Sequence, residues 1–254
     1  MAIVTLGDLD RAALRLAERL RLTVLPICGA TKDGGYDAIG SGILVRFEDR
    51  PCLATAKHVL DYNEGDIYDP LNNPTTLYVG NPAGGSHVAL TGEATRCEDP
   101  YDVALVELSV DAQIGLWDCE YLNPDTDFSP STLTVKFGMA MGYQVGTVKV
   151  DETSEKVRHD PLIYSSAGCD RSGHYVQIPV DPQRAVYGNT RYEVGALNGL
   201  SGGGAFWLRS LSEPEAADQL VGIIIEYDPD SKKLFATDVN TLRRLFAKLT
   251  QRQP

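Results

Sequence analysis

The chain has 254 residues with an ordinary apolar share of 43 %, enough for one large all-β unit or two small domains with a packed core. Its formal net charge of −12 argues against nucleic acid or an anionic membrane as the main partner. No apolar run approaches the roughly 20 residues of a membrane span, and the start, Met1-Ala2-Ile3-Val4 leading into Asp8 and Asp10, has neither the basic nor the apolar region of a signal peptide.

The five cysteines (Cys28, Cys52, Cys97, Cys119, Cys169) are scattered, odd in number and without a C-x-x-C pair. Reduced thiols in a cytoplasmic setting are the simplest reading, and neither a metal site nor any other cofactor is expected.

Residues 6–22 carry Leu9, Ala12, Ala13, Leu16 and Leu20 at helical spacing, with Asp8 placed to cap the start. The periodicity then shortens. Leu22 to Cys28, Gly40 to Phe47 and Cys52 to Ala56 read as strands, with turn chemistry at Lys32-Asp33-Gly34-Gly35 and Glu48-Asp49-Arg50-Pro51. Thr76 to Gly80, His87 to Thr91 and Val103 to Leu108 continue the pattern. Ser109 to Ser131 is polar and reads as a connector.

A second β set follows: Thr132 to Met139, Val145 to Val150, Leu162 to Ser165, Tyr175 to Val180, Tyr192 to Leu197, Ala205 to Leu208, Leu220 to Tyr227 and Leu234 to Thr237. Asp151 to Asp160 and Asp181 to Thr190 read as charged loops. Asn240 to Gln251 is helical, with Leu242, Leu245, Phe246 and Leu249 on one face. So many strands and such terminal helices exclude a doubly wound α/β sheet and suggest an antiparallel barrel or sandwich.

The stretch with most chemical content is Asn198-Gly199-Leu200-Ser201-Gly202-Gly203-Gly204. Glycine permits backbone angles other residues resist, so such a turn can present a serine oxygen and aim N–H groups at one point. A lone Gly-x-Ser-Gly-Gly is equally what a β-turn or bulge looks like. Ser201 needs a base, and the four histidines (His58, His87, His159, His174) all precede it. That order excludes the α/β-hydrolase elbow, in which the acid and histidine follow the serine. It leaves His…Asp…Ser on a double barrel. His58 follows a buried-looking strand, and Asp102 precedes the apolar run Val103-Ala104-Leu105-Val106. Asp99 is the rival acid. His87, His159 and His174 read as surface residues.

These segments resemble the trypsin-like (chymotrypsin-fold) serine peptidases. Gly40-Ser41-Gly42-Ile43-Leu44 is similar to their G-S-G-hydrophobic strand, Thr55-Ala56-Lys57-His58-Val59 to T-A-A-H, Asp102-Val103-Ala104-Leu105 to D-[IV]-A-L, and Gly199-Leu200-Ser201-Gly202-Gly203 to G-x-S-G-G. Val221-Gly222-Ile223 is similar to the strand after the serine. The resemblance implies an all-β fold of two antiparallel six-stranded β-barrels with N-terminal and C-terminal helices. It makes residues 1–254 one peptidase domain: helix 1–22, first barrel 23–115, second barrel 130–239, helix 240–254. It implies a serine endopeptidase with Ser201 as nucleophile, His58 as general base and acid, Asp102 orienting His58, and the N–H groups of Gly199 and Ser201 as oxyanion hole. A protein or peptide is the implied substrate.

Departures narrow the type. Leu200 stands where many secreted relatives carry an aspartate that pairs with a freed N-terminus, so activation by N-terminal trimming is not expected. The neighbourhood is more similar to the bacterial or intracellular branch. Gly204 replaces the usual proline and is expected to loosen the turn. Val59 stands where a bridging cysteine is common, which leaves Cys52 without its usual partner. By rough register the resemblance places Gly195, Ala196, Leu197, Ile225, Glu226 and Tyr227 around the substrate side chain. Glu226 either lies at the pocket wall, favouring a basic side chain, or faces solvent. Two further readings stay open. One is a latent protease-like regulatory protein activated by a protein partner; the other is an esterase using the same triad.

Overall fold

The computed structural model describes residues 5–30, 36–61, 77–82, 86–130, 135–144, 149–151, 156–158, 161–181, 185–187, 190–192, 197, 199–211 and 216–251. Helix α1 (Leu6–Leu20) leads into strands β1 (Val24–Ala30), β2 (Tyr36–Phe47) and β3 (Arg50–Thr55), then a single helical turn, α2 (Lys57–Leu60). Strands β4 (Leu77–Gly80), β5 (His87–Ala89), β6 (Gly92–Arg96) and β7 (Ala104–Leu108) complete the first half. The connector holds the short helices α3 (Val110–Gly115) and α4 (Pro124–Asp127). The second half runs through β8 (Phe137–Gly142), β9 (Lys149–Asp151), β10 (Lys156–Arg158), β11 (Leu162–Ala167), β12 (Asp170–Ser172) and β13 (Tyr175–Pro179). It ends with β14 (Ala185–Tyr187), β15 (Thr190–Tyr192), β16 (Gly204–Trp207), β17 (Gln219–Asp228), β18 (Lys233–Asp238) and α5 (Asn240–Gln251).

The strands form a seven-stranded sheet ordered β5-β4-β1-β2-β3-β7-β6, a nine-stranded sheet ordered β12-β13-β18-β17-β16-β8-β11-β14-β15, and the separate hairpin β9-β10. Both sheets curl, and the connections show why. Strands β5 and β6 lie at opposite edges of the first sheet, yet only Leu90 and Thr91 separate them. Two residues span so short a distance that the edges must approach each other. In the second sheet Gly168 and Cys169 alone carry the chain from β11 to the far edge at β12.

Two apolar clusters make up the core: the larger joins the first sheet to Met139, Met141, Ile163, Phe206 and Ile223 of the second, and the smaller lies within the second half. Leu44, Leu53 and Leu105 belong to the first, larger cluster; Ala140, Tyr164, Leu200, Trp207 and Ile224 belong to the second. Full burial of a side chain of leucine size contributes about 1.5–3 kcal/mol. Central strands of the second sheet, such as Ile223-Ile224-Ile225, therefore read as continuous apolar runs.

The terminal helices cross-brace the halves. The apolar stripe of α1 is buried, and Asp10 accepts a hydrogen bond from Ser165 on β11 at 2.7 Å, so the N-terminal helix lies on the second sheet. The C-terminal helix buries Leu242, Leu245, Phe246 and Leu249, and stacks Phe246 on Phe47 of β2 at 4.5 Å. Among the described residues no helix is long and apolar enough to cross a membrane.

Several local expectations change. The cap of α1 is Thr5, and Asp8 is the third helical residue, closing a reciprocal capping box with it. The second sheet exceeds six strands because β12 and the hairpin β14-β15 add to its edges; residues 185–187 are thus strand where charged loop was expected, and β15 begins at Thr190, two residues before the strand expected from Tyr192. Strand β10 likewise lies within the expected loop 151–160. These pieces are three residues long, too short for period-two alternation to register. Strand β6 was unread because Gly92-Glu93-Ala94-Thr95-Arg96 is polar, as an edge strand can be. Gly204 does not loosen the turn: it is buried in β16, paired with Met141 and Ile223, and an added Cβ would lie 2.2 Å from the Phe206 ring.

Candidate active site

Strand β3 pairs with β7 so that Thr55 lies opposite Ala104. Continuing both chains past that pair brings α2 beside the residues before β7. His58 sits in α2, and Val59 turns inward, its methyls filling the space beside Gly40 where a Cβ would come within 2.7 Å. Asp102 faces His58 twice. Its Oδ1 accepts from the His58 backbone N–H at 3.0 Å, and its Oδ2 meets the ring at Nδ1. A third link runs from the Lys57 N–H to the Asp102 carbonyl at 3.3 Å. Burial works to raise the Asp102 pKa. The hydrogen bonds and charge of His58, with the Lys57 charge behind them, outweigh it, so the carboxyl is held below its ordinary value. With Nδ1 engaged by a carboxylate, the other ring nitrogen, Nε2, is the one free to take a proton. Asp99 instead accepts from Lys57 Nζ at 3.0 Å and is 90 % exposed.

The loop carrying Asp102 is gripped from the other half of the molecule. Tyr175 of β13 donates its hydroxyl to the Pro100 carbonyl at 3.0 Å, His174 packs edge-on against Tyr101, and Arg244 of α5 lies over the Tyr101 ring at 5.4 Å. Burial, then the neighbouring Tyr101, Glu226 and Asp102, push the Tyr175 pKa up.

Ser201 occupies a turn built on glycines. Gly199 and Gly202 have φ of 93° and 85°, in the left-handed region that favours glycine. At Gly202 space is also decisive, since a Cβ would lie 1.9 Å from the Ser41 carbonyl oxygen and 2.2 Å from Thr55 Oγ1. That approach sets the serine turn against β2 and against the end of β3, three residues before His58. The turn's main chain is tied on several sides: Gly202 N–H to the Ile224 carbonyl at 2.7 Å, Gly203 N–H to the Leu200 carbonyl at 2.8 Å, and Ser41 N–H to the Ser201 carbonyl at 2.8 Å. Among the described residues, the N–H groups of Gly199 and Ser201 meet no acceptor. The half-buried Ser201 hydroxyl donates to the Ile225 carbonyl at 3.2 Å. Ile225 is the extra residue of a β-bulge, where the pairing of β17 with β18 jumps from Ile224 to Glu226. Bulges re-aim main-chain groups, and this one turns a carbonyl toward the serine.

Leu200 is 1 % exposed and belongs to the second apolar cluster, so the turn is anchored by packing at the position beside the serine. The other residues expected around a substrate side chain divide. Gly195 and Ala196 lie outside the described residues. Leu197 and Ile225 are buried, Tyr227 packs partly against the second cluster, and Glu226 is exposed. His87 is more than a surface residue: it stacks on Tyr36 at 4.0 Å, and burial pushes its pKa down. His174 is exposed, and His159 lies outside the described residues. Among the described residues no three His, Cys, Asp or Glu side chains converge as a metal site would require. Ser41, Thr55, Gly142 and Tyr175 were missed as contributors. Ser41 stood in the quoted Gly-Ser-Gly stretch, but nothing local in the sequence says that its hydroxyl faces the serine turn.

The inactive form of Rv3671c from M. tuberculosis H37Rv superposes on the whole of this chain, covering 100 % of it and 99 % of the other, with a TM-score of 0.54 at 13 % identity. The chain has the chymotrypsin fold. The active form of the Rv3671c protease also aligns, at 16 % identity over 100 % of this chain and 90 % of that one, with a TM-score of 0.50. A Glu endopeptidase bound to MPD shares 15 % identity over 90 % and 91 % of the two chains, with a TM-score of 0.48. No family model matches the sequence, and no curated protein matches it. At 13 % and 16 % identity, the fold is shared with a protein of very different sequence.

Proposed function

We propose that this protein is a serine endopeptidase acting through His58, Asp102 and Ser201. The observation that carries the reading is the pairing of Asp102 with both the ring and the backbone of His58, beside a glycine turn whose Gly199 and Ser201 N–H groups have no acceptor among the described residues. The Ser201 hydroxyl leaves the Ile225 carbonyl and attacks a peptide carbonyl carbon, giving its proton to His58 Nε2 as the C–O bond forms. The carbonyl oxygen becomes an oxyanion facing the two N–H groups; one such donor is typically worth about 3–4 kcal/mol in the transition state. His58 returns the proton to the leaving amine, and water then hydrolyses the acyl-enzyme by the reverse sequence of proton transfers. Asp102 stays ionised and holds the ring, in keeping with its lowered pKa. The five free thiols, with burial pushing the pKa of Cys28, Cys52, Cys119 and Cys169 to about 12, support a reducing, cytoplasmic setting with inert cysteines.

A second reading, a latent protease switched on by a protein partner, is favoured by one observation: the Ser201 hydroxyl rests on the Ile225 carbonyl. Labelling with a fluorophosphonate probe near pH 8, followed by intact mass, separates the two. A single adduct on the wild type and none on Ser201→Ala supports an assembled site. No adduct on a folded wild type overturns the constitutive enzyme and turns the search to an activator.

A further inference from the structure

Ser41 makes four hydrogen bonds at the boundary between the two halves, and its side chain is 0 % exposed. Its N–H donates to the Ser201 carbonyl at 2.8 Å, and its carbonyl accepts from Thr55 Oγ1 at 2.7 Å. Its hydroxyl donates to the Gly199 carbonyl at 2.9 Å and accepts from the Tyr143 N–H at 2.8 Å. One side chain on β2 of the first sheet therefore joins the serine turn to the end of β8 in the second. Gly142 makes the room: a Cβ there would come within 2.8 Å of Ser41 Oγ and 3.2 Å of the Leu200 Cα.

We propose that the Ser41 hydroxyl is a positioning group for the oxyanion-binding turn, holding the Gly199–Leu200 peptide in the one orientation that leaves the Gly199 and Ser201 N–H groups facing outward. Gly199 is the weak point of that turn, since glycine has the widest choice of backbone angles and sits here at φ 93°. Its own packing cannot hold it. Three successive carbonyls are tied back: Gly199 by Ser41 Oγ, Leu200 by the Gly203 N–H, and Ser201 by the Ser41 N–H. In a planar trans peptide the N–H points opposite to the carbonyl, so tying the Leu200 carbonyl aims the Ser201 N–H. Tying the Gly199 carbonyl fixes the rotation at Gly199 on which the spacing of the two donors depends. The hydroxyl is satisfied as donor and as acceptor, so it has no local alternative partner to drift toward. The catalytic consequence rests on the peptidase reading; the structural claim does not.

The test is Ser41→Ala in the full chain. Removing the hydroxyl frees the Gly199 carbonyl and the Tyr143 N–H while leaving every proposed catalytic group in place. The kcat for a peptide substrate and the fluorophosphonate labelling rate should fall roughly 10- to 100-fold, since small misplacements of a reacting geometry cost up to about that much. KM should stay within about twofold, which a general loosening of the barrel would not produce. Hydrogen exchange at Tyr143, whose N–H donates to the hydroxyl, and at Leu200, whose N–H donates to the Leu197 carbonyl, should quicken while the strands of the sheet core keep their protection. A folded variant with wild-type rates and unchanged exchange at these amides overturns the proposal. Should Ser41→Ala fail to fold, Ser41→Cys decides: it nearly keeps the volume but donates weakly, so wild-type kcat in it overturns the proposal and a several-fold loss supports it. If the wild type itself takes no fluorophosphonate, the peptidase reading fails, and the exchange comparison alone decides the role of Ser41.

Discussion

The two sides of the candidate site are held by different physics. On the acid–base side, His58 and Asp102 lie just beyond the paired ends of β3 and β7 in a single sheet, and register brings their segments together: Thr55 opposite Ala104 dictates that α2 meets the residues before β7. Side chains then complete the contact. On the nucleophile side almost nothing is done by side chains of the turn itself. Ser201 is aimed by backbone hydrogen bonds to β2 and β17, by glycines that admit close approach, and by Leu200 buried in the second cluster. The first side is robust to small backbone changes and fragile to loss of a charge. The second should behave the other way round.

Three substitutions break or sharpen that contrast. Asp102→Asn should leave the fold intact but lower kcat by about 10⁴-fold at neutral pH, because the amide selects the wrong ring tautomer of His58. The steady-state rate on a peptide, beside an unchanged circular dichroism spectrum, checks it. Gly202→Ala strikes the other side. Its Cβ meets the Ser41 carbonyl oxygen at 1.9 Å in a φ of 85°, so it should cost about 3–4 kcal/mol of stability, read as a lower urea midpoint. Asp99→Ala should change the peptide rate by less than about twofold. It removes only an exposed ion pair with Lys57, a class worth about 0–1 kcal/mol.

Asp102 also makes the acid–base side pH-sensitive. Its folded pKa is depressed, so its contribution to stability is complete above the ordinary 3.8 and is lost as the pH falls below that value. Denaturant unfolding of wild type and Asp102→Asn should therefore differ most near neutrality and converge as the pH drops below 3.8. A constant gap across that window would mean that the Asp102 carboxylate is not held by His58.

Much of this organisation is legible in the chain itself. Long apolar runs and helical spacing locate α1, α5 and the central strands, since burial of one face imposes its period on the residues whatever the partner. The order of His58, Asp102 and Ser201 and the glycines around the serine carry the resemblance to the trypsin-like peptidases, while leaving the latent and esterase readings open. Three-residue strands and a polar edge strand leave no period to read, so β6, β10, β12 and β14-β15 emerge only from pairing.

The tertiary structure alone decided the rest. Asp102 rather than Asp99 reaches His58 because strand register, not sequence distance, sets which carboxylate faces the ring. Gly204 is a strand residue because it pairs with Met141 and Ile223, and the Phe206 ring occupies the space a side chain there would need. Ser41 takes its place at the serine turn through hydrogen bonds to residues more than a hundred positions away, Tyr143 at a separation of 102 and Gly199 at 158. Such contacts depend on how two curled sheets are laid against each other, which no local pattern of residues encodes.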